Sequence, residues 1–198
     1  MKDIQIKNKQ ILQYLDEFVL ADCVEDLYSS PKGWDGSDYE KFKTYATCDE
    51  TLYEILKNKD AYKKLSYNKI FGETKGGIYF KETVGKKLNI QHYYTSAYVP
   101  KGFVGWHSDN DVSGHYLMFT YSSYGKGFFK YRDPKTGNIY TLHDTAGWML
   151  KVGSMGSTEH EIVWHCAASD DERYTFIFVY NDLNTFDKCL EIIDNETY

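Results

Sequence analysis

Apolar positions in the first third of the chain recur at helical spacing. Ile11, Leu12, Leu15, Phe18 and Val19 share one face of a 3.6-residue period. Leu52, Ile55 and Leu56 share another, behind Thr47-Cys-Asp-Glu50, which reads as a capping box opening a second helix. Between them, SSPKGWDGSD (29–38) has the composition of a loop. From about residue 78 the period falls to two. The runs IYF, NIQHYYTSAYV, FVGWHS, HYLMFTYSSY, GFFKYRD, NIYTLHD, GWMLKVG, EIVWHCAAS and RYTFIFVY are separated by turn residues, and DPKTGN (133–138) marks a hairpin. Strands at this spacing without helices between them predict a mainly β fold, a sandwich, barrel or jelly roll, with a helical N-terminal layer. The expected organisation is one domain over 1–198, with helical support over 1–75 and a β core over 78–182. No internal repeat or dividing linker interrupts it.

Composition narrows the class. At 198 residues a chain can bury about 70% of its unfolded surface, so its core needs no covalent staples. Cys23, Cys48, Cys166 and Cys189 are scattered, without a CxxC pair, which predicts reduced thiols and a cytoplasmic location. No apolar stretch suits a signal peptide or a membrane span, so neither secretion nor a membrane partner is expected. The net charge of -6 argues against a surface dedicated to coating DNA. Yet Lys57 to Lys101 holds ten lysines against Asp60, Glu73 and Glu82. A solvated face is the ordinary reading of that segment, and a surface for phosphate or another anionic partner is the sharper one.

The candidate chemistry begins at FVGWHSDND (103–111). On a strand, residues i and i+2 point to one side, so His107 and Asp109 can offer a nitrogen and an oxygen to one point. Such a pair is common by chance. EHEIVWHCAASDDERYTFIFVYND adds His160 or His165, either of which completes a two-histidine, one-carboxylate face that leaves three positions open on iron(II). Arg173 provides a fork suited to the free carboxylate of a dicarboxylate cosubstrate, and Thr175, on the same strand face, adds a hydroxyl. The plainer reading of Arg173 is an ion pair with the acids of SDDE (169–172). His92, His115 and His143 read as structural, and Trp106, Trp148 and Trp164 as barrel walls. Trp34 is a candidate lid aromatic. Tyr116, Met118, Phe129 and Tyr131 alternate along strands as core residues that could also line a pocket.

GWHSDND, VWHC and RYTFIFVYND together resemble the iron(II)/2-oxoglutarate-dependent dioxygenases with a double-stranded β-helix (jelly-roll) core, over residues 90 to 182. The likeness is to the prolyl-hydroxylase-like and AlkB-like branches and to small phage-type members. It implies Fe(II) held by His107, Asp109 and a distal histidine, 2-oxoglutarate anchored by Arg173 and Thr175, and O2 as the other cosubstrate. Succinate and CO2 would be co-products of a hydroxylation. His165, eight residues before Arg173, matches the spacing of the prolyl-hydroxylase branch, while His160 opens HEI, similar to the HEV of some members, and stays open. Tyr98 lies nine residues before His107, like the tyrosine of an AlkB-type NxY motif, which implies a hydroxyl directed to 2-oxoglutarate; Ser96 replaces the asparagine. Val179 stands where AlkB-like enzymes carry a second arginine, so a nucleic-acid demethylase is the less favoured alternative. A non-catalytic, cupin-like metal-binding module is another. The prime substrate, a protein residue, a nucleotide or a metabolite, is not legible.

Overall fold

Alternation along the strands decides what each sheet face meets. The computed structural model describes residues 1–20, 39–58, 66–67, 75–90, 92–109, 112–156, 158 and 161–196. Among the described residues ten strands form two five-stranded sheets: β1 (Lys2–Ile4), β2 (Ser66–Tyr67), β3 (His92–Tyr98), β4 (Phe103–His107), β5 (Gly114–Ser122), β6 (Gly127–Arg132), β7 (Ile139–His143), β8 (Gly147–Met155), β9 (His165–Ser169) and β10 (Arg173–Tyr180). The first sheet runs β1-β8-β5-β10-β3 and the second β2-β4-β9-β6-β7, with every pairing antiparallel. Successive strands from β3 onward largely cross between sheets, as in a jelly roll. The fold class expected from the alternation is the one observed.

On β10, Tyr174, Phe176, Phe178 and Tyr180 face outward into a helical layer built from α1 (Lys9–Leu20), α4 (Lys75–Phe80) with the π-helical turn Lys81–Gly85, and α5 (Leu183–Asp194). Ile11, Leu15 and Phe18 of α1 are fully buried there, at the period read from the sequence. The Phe18 ring meets Phe80, Trp148, Tyr174 and Phe176 edge-on, with centroids 5.2 to 6.0 Å away. Asp182 caps α5 by accepting from Asn184 N at 3.3 Å and Thr185 N at 2.8 Å. The outer face of the second sheet is covered by α2 (Tyr39–Thr47) and α3 (Asp49–Lys57), through Ala46, Leu52 and Ile55 against Phe103, Trp106, Cys166 and Ala168. Between the sheets lie Tyr98, Val104, Met118, Phe129 and Ala167, continued at one end by Tyr116, Met155, Val163 and Val179.

Several local expectations are corrected. Ile78-Tyr79-Phe80 is the end of α4, not a strand; Phe80 is buried and Ile78 half exposed, so only one helix face docks. Thr47 closes α2, its hydroxyl donating to Lys43 O at 2.8 Å, while Cys48 is the N-cap of α3 with no side-chain capping bond. Lys2–Ile4, within the segment assigned to helical support, is a strand paired with β8. Trp106 and Trp148 do not wall the interior: their indoles lie in the helix-facing layers and donate to Cys48 O at 2.7 Å and Leu15 O at 3.0 Å. The hairpin at 133–138 is as expected, with Asp133 Oδ1 accepting from Lys135 N and Thr136 N. Cys48, Cys166 and Cys189 are free thiols. The loop over 29–38 with Trp34, Cys23, His160 and four lysines of the lysine-rich segment, Lys59, Lys63, Lys64 and Lys69, lie outside the described residues. No helix among the described residues is long and apolar enough to cross a membrane.

Candidate metal centre

A one-residue irregularity in β4 creates the site. Phe103 pairs with Ala168 and Val104 with Ala167, but the next pair is His107 with His165, three steps on β4 against two on β9. Val104 faces the interior, so in a regular ladder residue 107 would face outward. The β-bulge restores it to the inner face beside His165, whose side chain is buried. The two imidazole centroids are 4.2 Å apart.

Asp109 completes the cluster. Its carboxylate approaches His107 Nε2 at 3.8 Å and His165 Nε2 at 3.6 Å, each through a different oxygen. The three ligand atoms lie within 4.8 Å of one another, a little wider than the roughly 3 Å separating donors on one shared ion and within reach of side-chain rotation. His107 Nδ1 lies 2.8 Å from Gly105 O and His165 Nδ1 3.0 Å from Val163 O. A carbonyl only accepts, so each Nδ1–H donates, and each ring turns its Nε2 toward the cluster. Val112 N donates to Asp109 O at 3.0 Å, and Tyr116 Oη to Val112 O at 2.7 Å, tying the Asp109 turn to the core. Phe129 stacks on His165 at 5.5 Å. Two imidazoles and one carboxylate converging from one side are a donor set that suits iron(II).

A second polar group occupies the other end of the inner face. Arg173, 1% exposed, donates from Nε to Asp144 Oδ2 at 2.7 Å and from Nη1 to Thr175 Oγ1 at 2.7 Å. Its guanidinium lies 4.8 Å from the Tyr98 ring centroid. Burial opposes the charge on Arg173, but Asp144 and Tyr98 outweigh it and raise its pKa. Burial also raises the pKa of the Tyr98 phenol, with Arg173 pulling the other way, so the hydroxyl stays protonated. Among the described residues, Arg173 Nη2 and Thr120 Oγ1 are buried without a hydrogen-bond partner. Thr120 is the register partner of Thr175. Two unpaired donors beside a buried guanidinium fit a carboxylate group.

The spacing of the two ends follows from β6. Gly127 abuts Asp144 and Tyr131 pairs with His165, so four residues, about 13 Å of strand, separate the two levels. Thr175 lies on the metal side of Arg173, because Ile177 packs near Ala167 and Val179 near Val163. The guanidinium therefore reaches toward the triad and shortens the gap. A cavity of about 520 Å³ is lined by Tyr131, Met155, Glu161, Val163 and His115 among others, without the three triad residues themselves.

His107, Asp109 and His165 thus come together, and Arg173, Thr175 and Tyr98 form a separate group on the same interior. Arg173 pairs with Asp144, not with the acids of SDDE; of these, Asp171 binds Ser122, Ser169 and the amides of Tyr124 and Lys126. His115 is held by Ser154 at 2.8 Å, and His92 and His143 are exposed, all outside the triad. Sequence reasoning missed Asp144, Lys151 and Thr120. Lys151 had a signal, a lysine inside the apolar run GWMLKVG, whereas Asp144 looked like a turn residue.

No protein-family model matches the chain, and no curated protein matches it. Solved structures do. A Trichoplax adhaerens prolyl hydroxylase, in complex with a hypoxia inducible factor oxygen degradation domain peptide fragment, aligns with TM-score 0.52 and 9% identity, covering 98% of this chain and 87% of its own. A Pseudomonas putida prolyl-4-hydroxylase aligns with TM-score 0.47 and 12% identity over 91% of each chain. The jelly roll of this protein is the fold of the prolyl hydroxylases, as the sequence resemblance implies.

Proposed function

We propose that this protein is an Fe(II)/2-oxoglutarate-dependent dioxygenase, a hydroxylase acting on a protein residue or small molecule within one catalytic domain. The observation that carries this reading is the convergence of His107 Nε2, His165 Nε2 and an Asp109 oxygen within 4.8 Å. Those three residues would hold the metal. Arg173 Nη2 and the hydroxyls of Thr175 and Thr120 would hold the far carboxylate of 2-oxoglutarate, with the Tyr98 hydroxyl turned toward the same molecule. When bound, iron and 2-oxoglutarate supply an oxidation in which the oxo acid becomes succinate and CO2 while one oxygen of O2 enters a substrate C–H bond.

The chain's own residues orient and shield. Gly105 O and Val163 O fix the imidazole planes by accepting from Nδ1–H. Asp109 adds the negative charge that favours a divalent ion. Tyr98, Val104, Met118, Phe129 and Ala167 keep water from the space between triad and guanidinium. The cavity beside Tyr131 and Val163 would admit the substrate. The Trichoplax relative holds a peptide, so peptides are the first class to screen, alongside metabolites.

The test is anaerobic titration with Fe(II) and 2-oxoglutarate, followed by succinate measurement after oxygen is admitted. Succinate formation should require iron and vanish in His107→Ala and Asp109→Ala; unaltered turnover in either variant rejects the site. Arg173→Ala should raise the 2-oxoglutarate requirement by at least about tenfold with iron still bound. An unchanged requirement would make the arginine merely structural.

A further inference from the structure

Tyr131 belongs to the cavity wall and to the surroundings of the triad at once. On the β6–β9 ladder it is the register partner of His165, and Phe129, two residues before it on the same strand face, stacks on the His165 ring at 5.5 Å. The Tyr131 side chain therefore faces the interior at the level of the metal centre. It also lines the cavity of about 520 Å³, whose lining includes none of His107, Asp109 and His165. Its ring packs against both interior clusters, the one holding Phe129 and Ala167 and the one holding Met155 and Val163. Three contacts keep it there. Tyr140, its register partner on β7, stacks on it at 5.4 Å with the planes 25° apart; Phe129 lies 6.3 Å away; and Tyr131 Oη donates to Met1 O, beside β1 of the opposite sheet, at 3.3 Å.

A side chain shared by two spaces decides what passes between them. An aromatic ring fills volume that a smaller side chain leaves open, and an apolar void of that size takes up an apolar guest. The surface that Tyr131 shares with Met155 and Val163 at the cavity is apolar, because the one polar atom of its side chain is committed to Met1 O. We propose that Tyr131 is a specificity-determining residue: its ring closes the cavity on the side of the metal centre and so sets how near an entering ligand comes to His165. A smaller residue at this position would admit a bulkier apolar group. Treating that ligand as the substrate of an oxygenase rests on the function proposed above, whereas the wall itself rests on packing alone.

Diethyl pyrocarbonate, which carbethoxylates accessible imidazoles, reads the wall in metal-free protein by site-resolved mass spectrometry and needs no turnover. In the wild type, buried His165 should react at least about tenfold more slowly than exposed His92. Tyr131→Ala should speed His165 at least about tenfold while His92 and His143 keep their rates. Tyr131→Phe, which retains the ring, should stay within about threefold of the wild type. Toluene, which replaces the lost ring, should slow His165 of Tyr131→Ala at least about threefold and leave the wild type unaffected. General loosening of the fold would not be reversed in this way. His165 reacting like His92 in the wild type, an unchanged His165 rate in Tyr131→Ala, or no effect of toluene on that variant would each overturn the proposal. Should Tyr131→Ala fail to fold, Tyr131→Leu decides it by the same readings. Protection of His165 that follows these expectations, in a protein forming no iron-dependent succinate, would sink only the oxygenase reading.

Discussion

His107 stands directly across from His165 in the β4–β9 ladder, with ring centroids 4.2 Å apart, because a bulge after Val104 turns it inward. Each imidazole is pinned by a carbonyl two residues before it, Gly105 O or Val163 O. The same local device thus serves both strands, and it gives His165 a fixed direction that sequence spacing did not.

His165→Ala should weaken Mn(II) binding, measured by electron paramagnetic resonance titration, by at least about a hundredfold, since it removes a ligand outright. His160→Ala should leave it unchanged. The reverse pattern would transfer the distal role to His160.

Gly127→Ala tests how Asp144 is seated. The added methyl would sit 2.3 Å from Asp144 Oδ2 and 3.0 Å from Ser169 Oγ, so the carboxylate must leave Arg173 or the strands must part. Overpacking of this kind costs about 1–3 kcal/mol, and loosening a buried ion pair adds to it. Urea denaturation should show a loss of at least about 1 kcal/mol; unchanged stability would mean that Asp144 is free to move.

Phe18→Ala should be the costliest change in α1. The ring is fully buried and touches Phe80, Trp148, Tyr174 and Phe176. Truncating such a phenylalanine costs about 3–5 kcal/mol, readable as a shift in the denaturation midpoint. A loss below about 1 kcal/mol would show that α1 contributes little to the first sheet's stability.

Acid stability should report on Asp171. Burial pushes its carboxyl upward, but bonds from Ser169, Tyr124 N, Lys126 N and Ser122 together outweigh it and hold the pKa below the ordinary 3.8. A lowered folded pKa means that the unfolded chain binds the proton more readily. The stabilisation is therefore complete above about pH 4 and disappears as pH falls through the folded value. Asp171→Asn should lower Tm at pH 6, and the two proteins should converge toward pH 2. A constant Tm difference across that range would refute the assignment.

Much of this protein follows from its sequence alone. The two-residue period from residue 92 onward specified strands, and Ile11, Leu15 and Phe18 specified the buried face of α1, because those signals are local and one side of each element is apolar. The HxD pair and Arg173 were legible as candidates because few groups suit a metal or a buried carboxylate. Tertiary structure alone decided the rest. Ile78-Tyr79-Phe80 looked like a strand until packing against Phe18 and Phe176 made it helical. The facing of His107 depended on a bulge relative to β9, and the partnership of Asp144, Lys151 and Arg173 on apposition of two sheets. Contacts of this kind join residues distant in sequence, and no local pattern records them.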